Sequence, residues 1–91
     1  MYLAHVIGTV VSTSKDPGLV GYKLLVVQRI DADNQPAGAP EVAVDTVGAG
    51  NGETVIIANG SSARQAIGGK AAPVDATIVG IVDTVEIDRG R

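Results

Sequence analysis

Three of the strand-forming stretches in this sequence are apolar on both faces. Leu24 and Val26 alternate with Leu25 and Val27, Val55 and Ile57 with Ile56 and Ala58, and Ile78 and Val82 with Val79 and Ile81. Successive strand side chains point to opposite faces, so a sheet with one face on its core and one in water reads apolar on one parity only. A small closed sheet made from these segments fills its interior with one set and leaves the other set outside. Soluble monomers rarely leave such a patch open, and the pattern predicts that another subunit covers part of the outer wall.

The rest of the composition makes that help more necessary. The chain has 91 residues, enough for one domain, read as residues 1–91. It has no Cys, Phe or Trp, and its only aromatic residues are Tyr2 and Tyr22. The core must come from Val, Ile, Leu and Ala, with less buried area per residue than rings supply, in a size range where the core is already thin. Without cysteine there is no disulfide framework, no thiolate metal site and no cysteine nucleophile. No apolar run approaches the roughly 18–20 residues of a membrane-spanning helix. The first residues read as a strand rather than a signal peptide, which makes the expected setting cytosolic, with no membrane partner.

Along the chain, Tyr2 to about Thr13 is rich in β-branched residues and reads as a strand, with Gly8 marking a bend or bulge. Ser14 to Gly21 is a loop, and a second strand runs from Tyr22 to about Asp31. The segment from Asp33 to Gly38 suits a hairpin loop, because its Pro and Gly do not continue a ladder. A third strand, Glu41 to Val47, meets a fourth, Glu53 to Ala58, across Gly48-Ala49-Gly50-Asn51-Gly52. Ser62 with Gln65 three residues later matches a capping box and opens the one helical segment, which Gly68 and Gly69 close. Pro73 restarts extended structure, and Val74 to Ile87 reads as a long strand interrupted at Gly80. The predicted fold is all-β: a small five-stranded OB-like barrel with one short helix before the last strand.

Few residues offer chemistry. Seven Lys and Arg against 10 Asp and Glu leave a formal charge of -3, which repels nucleic acid, and the stacking aromatics of single-strand binders are missing. His5 is the only histidine and has no sequence partner for a metal or base role. Asp75 and Asp83 share a strand face at even spacing, as do Asp45 and Val47 in another strand, yet no His, Cys or Lys neighbour completes a catalytic or metal set, so none is assigned and no cofactor is expected. The glycine-rich loop joins two strands rather than a strand and a helix, which is the wrong context for a dinucleotide fingerprint. Gly60-Ser61-Ser62-Ala63-Arg64 is the better anion candidate, through helix-start N–H groups, hydroxyls and a guanidinium; the plainer reading is an N-cap with Arg64 pairing a carboxylate.

In combination these residues carry a resemblance. Gly21 to Val27, Val42 to Glu53, Gly60 to Arg64, and Pro73 to Ala76 with Val79 to Asp83 are similar, in register and over nearly the whole chain, to the EutN/CcmL family of bacterial microcompartment vertex proteins. The resemblance implies an OB-like barrel that forms homopentamers at the corners of protein shells, beside hexameric shell proteins, in the bacterial cytoplasm. It implies a structural protein, not an enzyme. It also points Gly48, Ala49 and Gly50 at a narrow pore on the five-fold axis, where crowding demands small side chains and exposed N–H groups hold small anions. Asp45, Ser61, Ser62, Arg64 and Asp83 are the expected interface or anion-contact residues, with Arg64 paired to Asp45 first and Asp83 second. The competing readings are a small anion- or nucleic-acid-binding barrel using Ser61, Ser62 and Arg64, and an acid/base enzyme using Asp45, Asp75 or Asp83.

Overall fold

A computed structural model describes residues 1–13, 15–68 and 74–89. Its elements are β1 (Tyr2–Val10), a 3-10 turn (Pro17–Leu19), β2 (Lys23–Arg29), β3 (Glu41–Asp45), β4 (Thr54–Asn59), α1 (Gly60–Ala66) and β5 (Ala76–Val82). The five strands close into a barrel in the order β1-β2-β3-β5-β4. All pairings are antiparallel except that of β3 with β5, where Val44 faces Thr77 and Asp45 faces Ile78. The predicted five-stranded barrel with one short helix before its last strand is the fold observed.

The interior is the aliphatic plug that the composition required. Ala4, Val6, Leu25, Val27, Ala43, Val55, Ile57 and Ile78 are buried in one cluster. A second cluster lies outside the barrel wall, where Ala63 and Ile67 of α1 and its C-cap pack on Val44 and Val74 with Leu19, Tyr22 and Leu24 beside them. The helix packs against β5 and β4 and reaches Val44 of β3, and Thr77, fully buried beneath it, donates its hydroxyl proton to Ala63 O at 2.9 Å. Tyr2 closes one end of the interior with the Arg29 guanidinium 4.6 Å above its ring.

Two bulges separate the structure from strict alternation. Val6 pairs with Val27 but Gly8 with Val26, which leaves Ile7 as the extra residue of β1. Ile56 pairs with Gly80 and Ile57 with Ile78, which makes Val79 the extra residue of β5. Gly80 therefore stays inside its strand; a Cβ there would lie 3.3 Å from Ile56 Cδ1, so close packing accounts for the glycine.

The strands are shorter than their apolar runs, and side chains end them. β3 stops at Asp45 because that carboxylate takes the N–H groups of Val47 and Gly48. Past β2, Asp31 accepts from Asp33 N and Gln35 N and turns the chain, with Asn34 at φ 65. The helix starts two residues before the expected cap. Asn59 is the N-cap, without a side-chain cap bond, and Gly60 N donates to the main-chain oxygen of Asp75 at 3.1 Å. Ser62 therefore lies within the first turn and makes no capping box. Gly69 and Pro73, expected to end the helix and restart extended structure, lie outside the described residues.

Candidate functional site

The connection from β3 to β4 is tied to the barrel by side chains and main chain together. Asp45, whose side chain is 3% exposed, accepts from Val47 N and Gly48 N at 3.1 Å each and lies 3.5 Å from Lys23 Nζ. Lys23 is its cross-strand neighbour in the β2–β3 ladder and also donates to Ala49 O. Thr46 donates its hydroxyl proton to Ile78 O at 2.8 Å, and Glu53 Oε1 accepts from Gly50 N at 2.7 Å. Gly52 N donates to Val6 O, and Val6 N to Glu53 O, both at 2.9 Å, which fastens the loop to β1. Side chains from the ends of β2, β3 and β4 and the main chains of β1 and β5 hold one glycine-rich turn.

The three small residues of that turn are small for different reasons. Gly48 has φ 82 and open space where a Cβ would go, so its backbone conformation requires glycine. Ala49 does not line a pore with its side chain: the residue is fully buried and its methyl packs in the barrel core, so interior packing sets its size. Gly50 has neither constraint. Its φ is not positive, and a Cβ would meet only Glu53 Oε1 at 3.8 Å, an ordinary contact.

The expected Arg64–Asp45 pair does not form within the chain. The ion pairs found among the described residues are Lys23–Asp45 and Arg89–Asp33, and Arg64 instead donates to Val74 O at 3.4 Å. Lys23 wins because strand pairing places it opposite Asp45, whereas Arg64 leaves from an exposed face of α1. Ser61 and Ser62 are exposed on that helix. Asp75 and Asp83 do not share a face: both lie outside β5, at its opposite ends, and the bulge at Val79 breaks their parity. Asp75 is engaged by Gly60 N, while Asp83 lines the cavity described below. His5 is half-buried opposite Gln28 and Thr54. Among the described residues no group of three or more His, Cys, Asp or Glu gathers at one point.

The outer wall is aliphatic, as the double-faced pattern predicted. Gly8, Val26 and Val42 lie side by side across β1, β2 and β3, and Ile7 beside them and Val42 are 54% and 51% exposed. Val47 and Ile81 add exposed aliphatic surface near the glycine-rich loop and the end of β5.

The segment after β5 is not the strand continuation the sequence suggested. It leaves the ladder at Asp83 and passes Leu3 and Thr54 to the β2–β3 connection. There Arg89 meets Asp33 at 2.6 Å and Ala32 O at 3.3 Å. It bounds a cavity of about 300 Å³ whose apolar lining includes Leu3, Ile30, Val82, Val85 and Ile87. Sequence reasoning did not identify Lys23 and Glu53 as loop clamps, nor this strap. The available signal for the first two was a charge beside each strand start flanking the glycines; nothing local announces the Arg89–Asp33 contact.

Comparison with known proteins gives a consistent result. The model of a family described as ethanolamine utilisation protein EutN/carboxysome matches residues 1–83. A bacterial microcompartment shell vertex protein, GrpN of Rhodospirillum rubrum (strain F11), is 62% identical over 94% of this chain and 97% of its own. The carboxysome shell vertex protein CcmL of Synechocystis sp. (strain ATCC 27184 / PCC 6803 / Kazusa) is 54% identical over 99% of this chain and 90% of its own. The solved structure of the GrpN pentameric microcompartment shell protein from Rhodospirillum rubrum superposes with a TM-score of 0.84 at 59% identity, covering 96% of this chain and 98% of that one.

Proposed function

The chain belongs to the EutN/CcmL family of microcompartment shell proteins, and from that premise we propose that it closes into a homopentamer and caps the vertices of a bacterial microcompartment shell. It is a structural protein rather than an enzyme. Its place is the bacterial cytoplasm, within the shell, with residues 1–91 acting as one vertex domain beside hexameric shell proteins. A ring built by repeating one heterologous contact closes at a fixed rotation, and five-fold closure gives the curvature that a flat six-fold lattice lacks.

The observation that supports this reading within the molecule is the uncovered aliphatic wall, with Ile7 and Val42 about half exposed on a barrel already full inside. The glycine-rich loop is assigned to the five-fold axis, since Gly50 answers to no constraint inside its own chain and crowding by symmetry copies supplies one. Gly48 and Gly50, rather than the Ala49 side chain, are its small surface there. Ser61, Ser62 and Arg64 on α1 and Asp83 after β5 are the polar groups assigned to the subunit boundary, while Asp45 works inside its own chain.

The anion- or nucleic-acid-binding alternative is not favoured: the Gly60 N–H is engaged by Asp75, Arg64 leans on Val74 O, and the chain carries a net charge of -3. Native mass spectrometry at micromolar concentration tests the proposal. A five-copy species that survives near-molar salt is expected, because screening weakens exposed ion pairs but not apolar burial. Monomers or dimers under those conditions overturn it.

A further inference from the structure

Glycine-rich turns bind small anions when successive main-chain N–H groups point outward unpaired. In the β3–β4 loop the glycine donors are already spent. Gly48 N goes to Asp45 Oδ2 at 3.1 Å, Gly50 N to Glu53 Oε1 at 2.7 Å, and Gly52 N to Val6 O at 2.9 Å. Val47 N goes to Asp45 Oδ1 at 3.1 Å. Two of the acceptors are carboxylates of the chain itself, so the positions an incoming anion would take are filled by internal ones.

The charge balance points the same way. Each loop holds Asp45 and Glu53 against the single cation Lys23, whose ammonium is committed to Asp45 and Ala49 O. A second anion would have to displace a charge-assisted hydrogen bond, roughly twice as strong as a neutral one, and face a like charge within a few ångströms.

We propose that this loop discriminates against small anions. Where the loop surrounds the five-fold axis, the axial opening inherits that preference; this second half rests on the axis assignment above, the first half does not. The proposal replaces the expectation that the glycine N–H groups of the loop hold anions.

The test is an amide chemical-shift titration of the assembled, isotope-labelled protein with sodium sulfate at constant ionic strength, read at Gly48, Gly50 and Gly52. No saturable shift is expected at these amides. A saturable shift at Gly48 or Gly50 overturns the proposal. Glu53→Ala frees Gly50 N and should create a saturable sulfate response at Gly50, whereas Glu53→Gln, which keeps an acceptor oxygen, should not. Silence at Gly50 in folded Glu53→Ala shows that the carboxylate is not what blocks the site and also overturns it. Disulfide cross-linking of Val47→Cys, a half-exposed neighbour of the loop in a chain with no native cysteine, reads the axis assignment separately. Cross-linking needs Cα atoms within about 7 Å. Its absence with a silent sulfate titration removes the loop from the axis and leaves its anion discrimination standing.

Discussion

The β3–β4 loop and the C-terminal strap are both irregular segments that leave the same barrel, and they are held in opposite ways. In the loop, Asp45 is almost wholly buried and joins Lys23 to two main-chain N–H groups, Glu53 holds Gly50, and β1 holds Gly52. The strap makes no ladder bonds, and Arg89 near its end is held by an ion pair whose partners are 62% and 67% exposed. Buried, internally satisfied polar groups fix a geometry, whereas an exposed pair is worth about 0–1 kcal/mol and holds a segment only loosely. The loop therefore has its final shape before a neighbour arrives. The strap, with Val85 and Ile87 half exposed, takes a shape that a neighbour can change.

The sharpest way to break this contrast is to remove the carboxylate that organises the loop. Asp45→Ala leaves two N–H donors without their acceptor and the Lys23 ammonium with Ala49 O but no counter-charge. Each such group costs about 1–3 kcal/mol when left unsatisfied, and partial solvation of the exposed Val47 and Gly48 puts the total near about 3 kcal/mol. Urea unfolding at one fixed protein concentration should show the midpoint falling with m unchanged. A loss no greater than that of a strap variant would show that the loop is not pre-built.

A pair of glycine variants then separates shape from crowding. Gly48→Ala forces a side chain onto φ 82 and should cost about 1–2 kcal/mol of stability whatever the oligomeric state. Gly50→Ala meets no steric or backbone objection within the chain and should leave the stability of the barrel within about 0.5 kcal/mol. If five copies of the loop crowd one axis, it should nevertheless reduce the assembled fraction in size-exclusion chromatography. Normal assembly of Gly50→Ala puts the loop away from the axis. An unaffected Gly48→Ala would mean the turn relaxes, against the picture of a clamped loop.

The difference between the regions also explains what the sequence disclosed. Strand alternation and turn residues are local, so five strands, the helix before the last one and the aliphatic outer wall could be read directly. What could not be read is long-range. Lys23 reaches Ala49 across 26 positions and Arg89 reaches Asp33 across 56, and no periodicity encodes either. Ala49 looked like its glycine neighbours because composition cannot tell a small residue that leaves room for a neighbour from one that fits its own core. The shared face of Asp75 and Asp83 failed for a third reason: one extra residue at Val79 reverses parity, and a bulge leaves no clear mark in an aliphatic run. The capping box failed because Asp75, fifteen residues downstream, engages the Gly60 N–H and starts the helix early.

The smallest expected effect is on the strap. Arg89→Ala removes an ion pair that water already reaches from both sides, along with a 3.3 Å bond to Ala32 O, so screening and side-chain entropy absorb most of the Coulomb gain. The unfolding midpoint should move by about 0.5 kcal/mol or less. Hydrogen exchange should register the change where stability does not. Amides of residues 84–88, outside any ladder, should exchange fast in the parent and faster in the variant, while Val47 and Gly48, tied to Asp45, keep their protection in both. A loss above about 1 kcal/mol, or strap amides as protected as those of the loop, would mean that Val85 and Ile87 are anchored by the cavity beneath them, and the strap would then be as fixed before assembly as the loop.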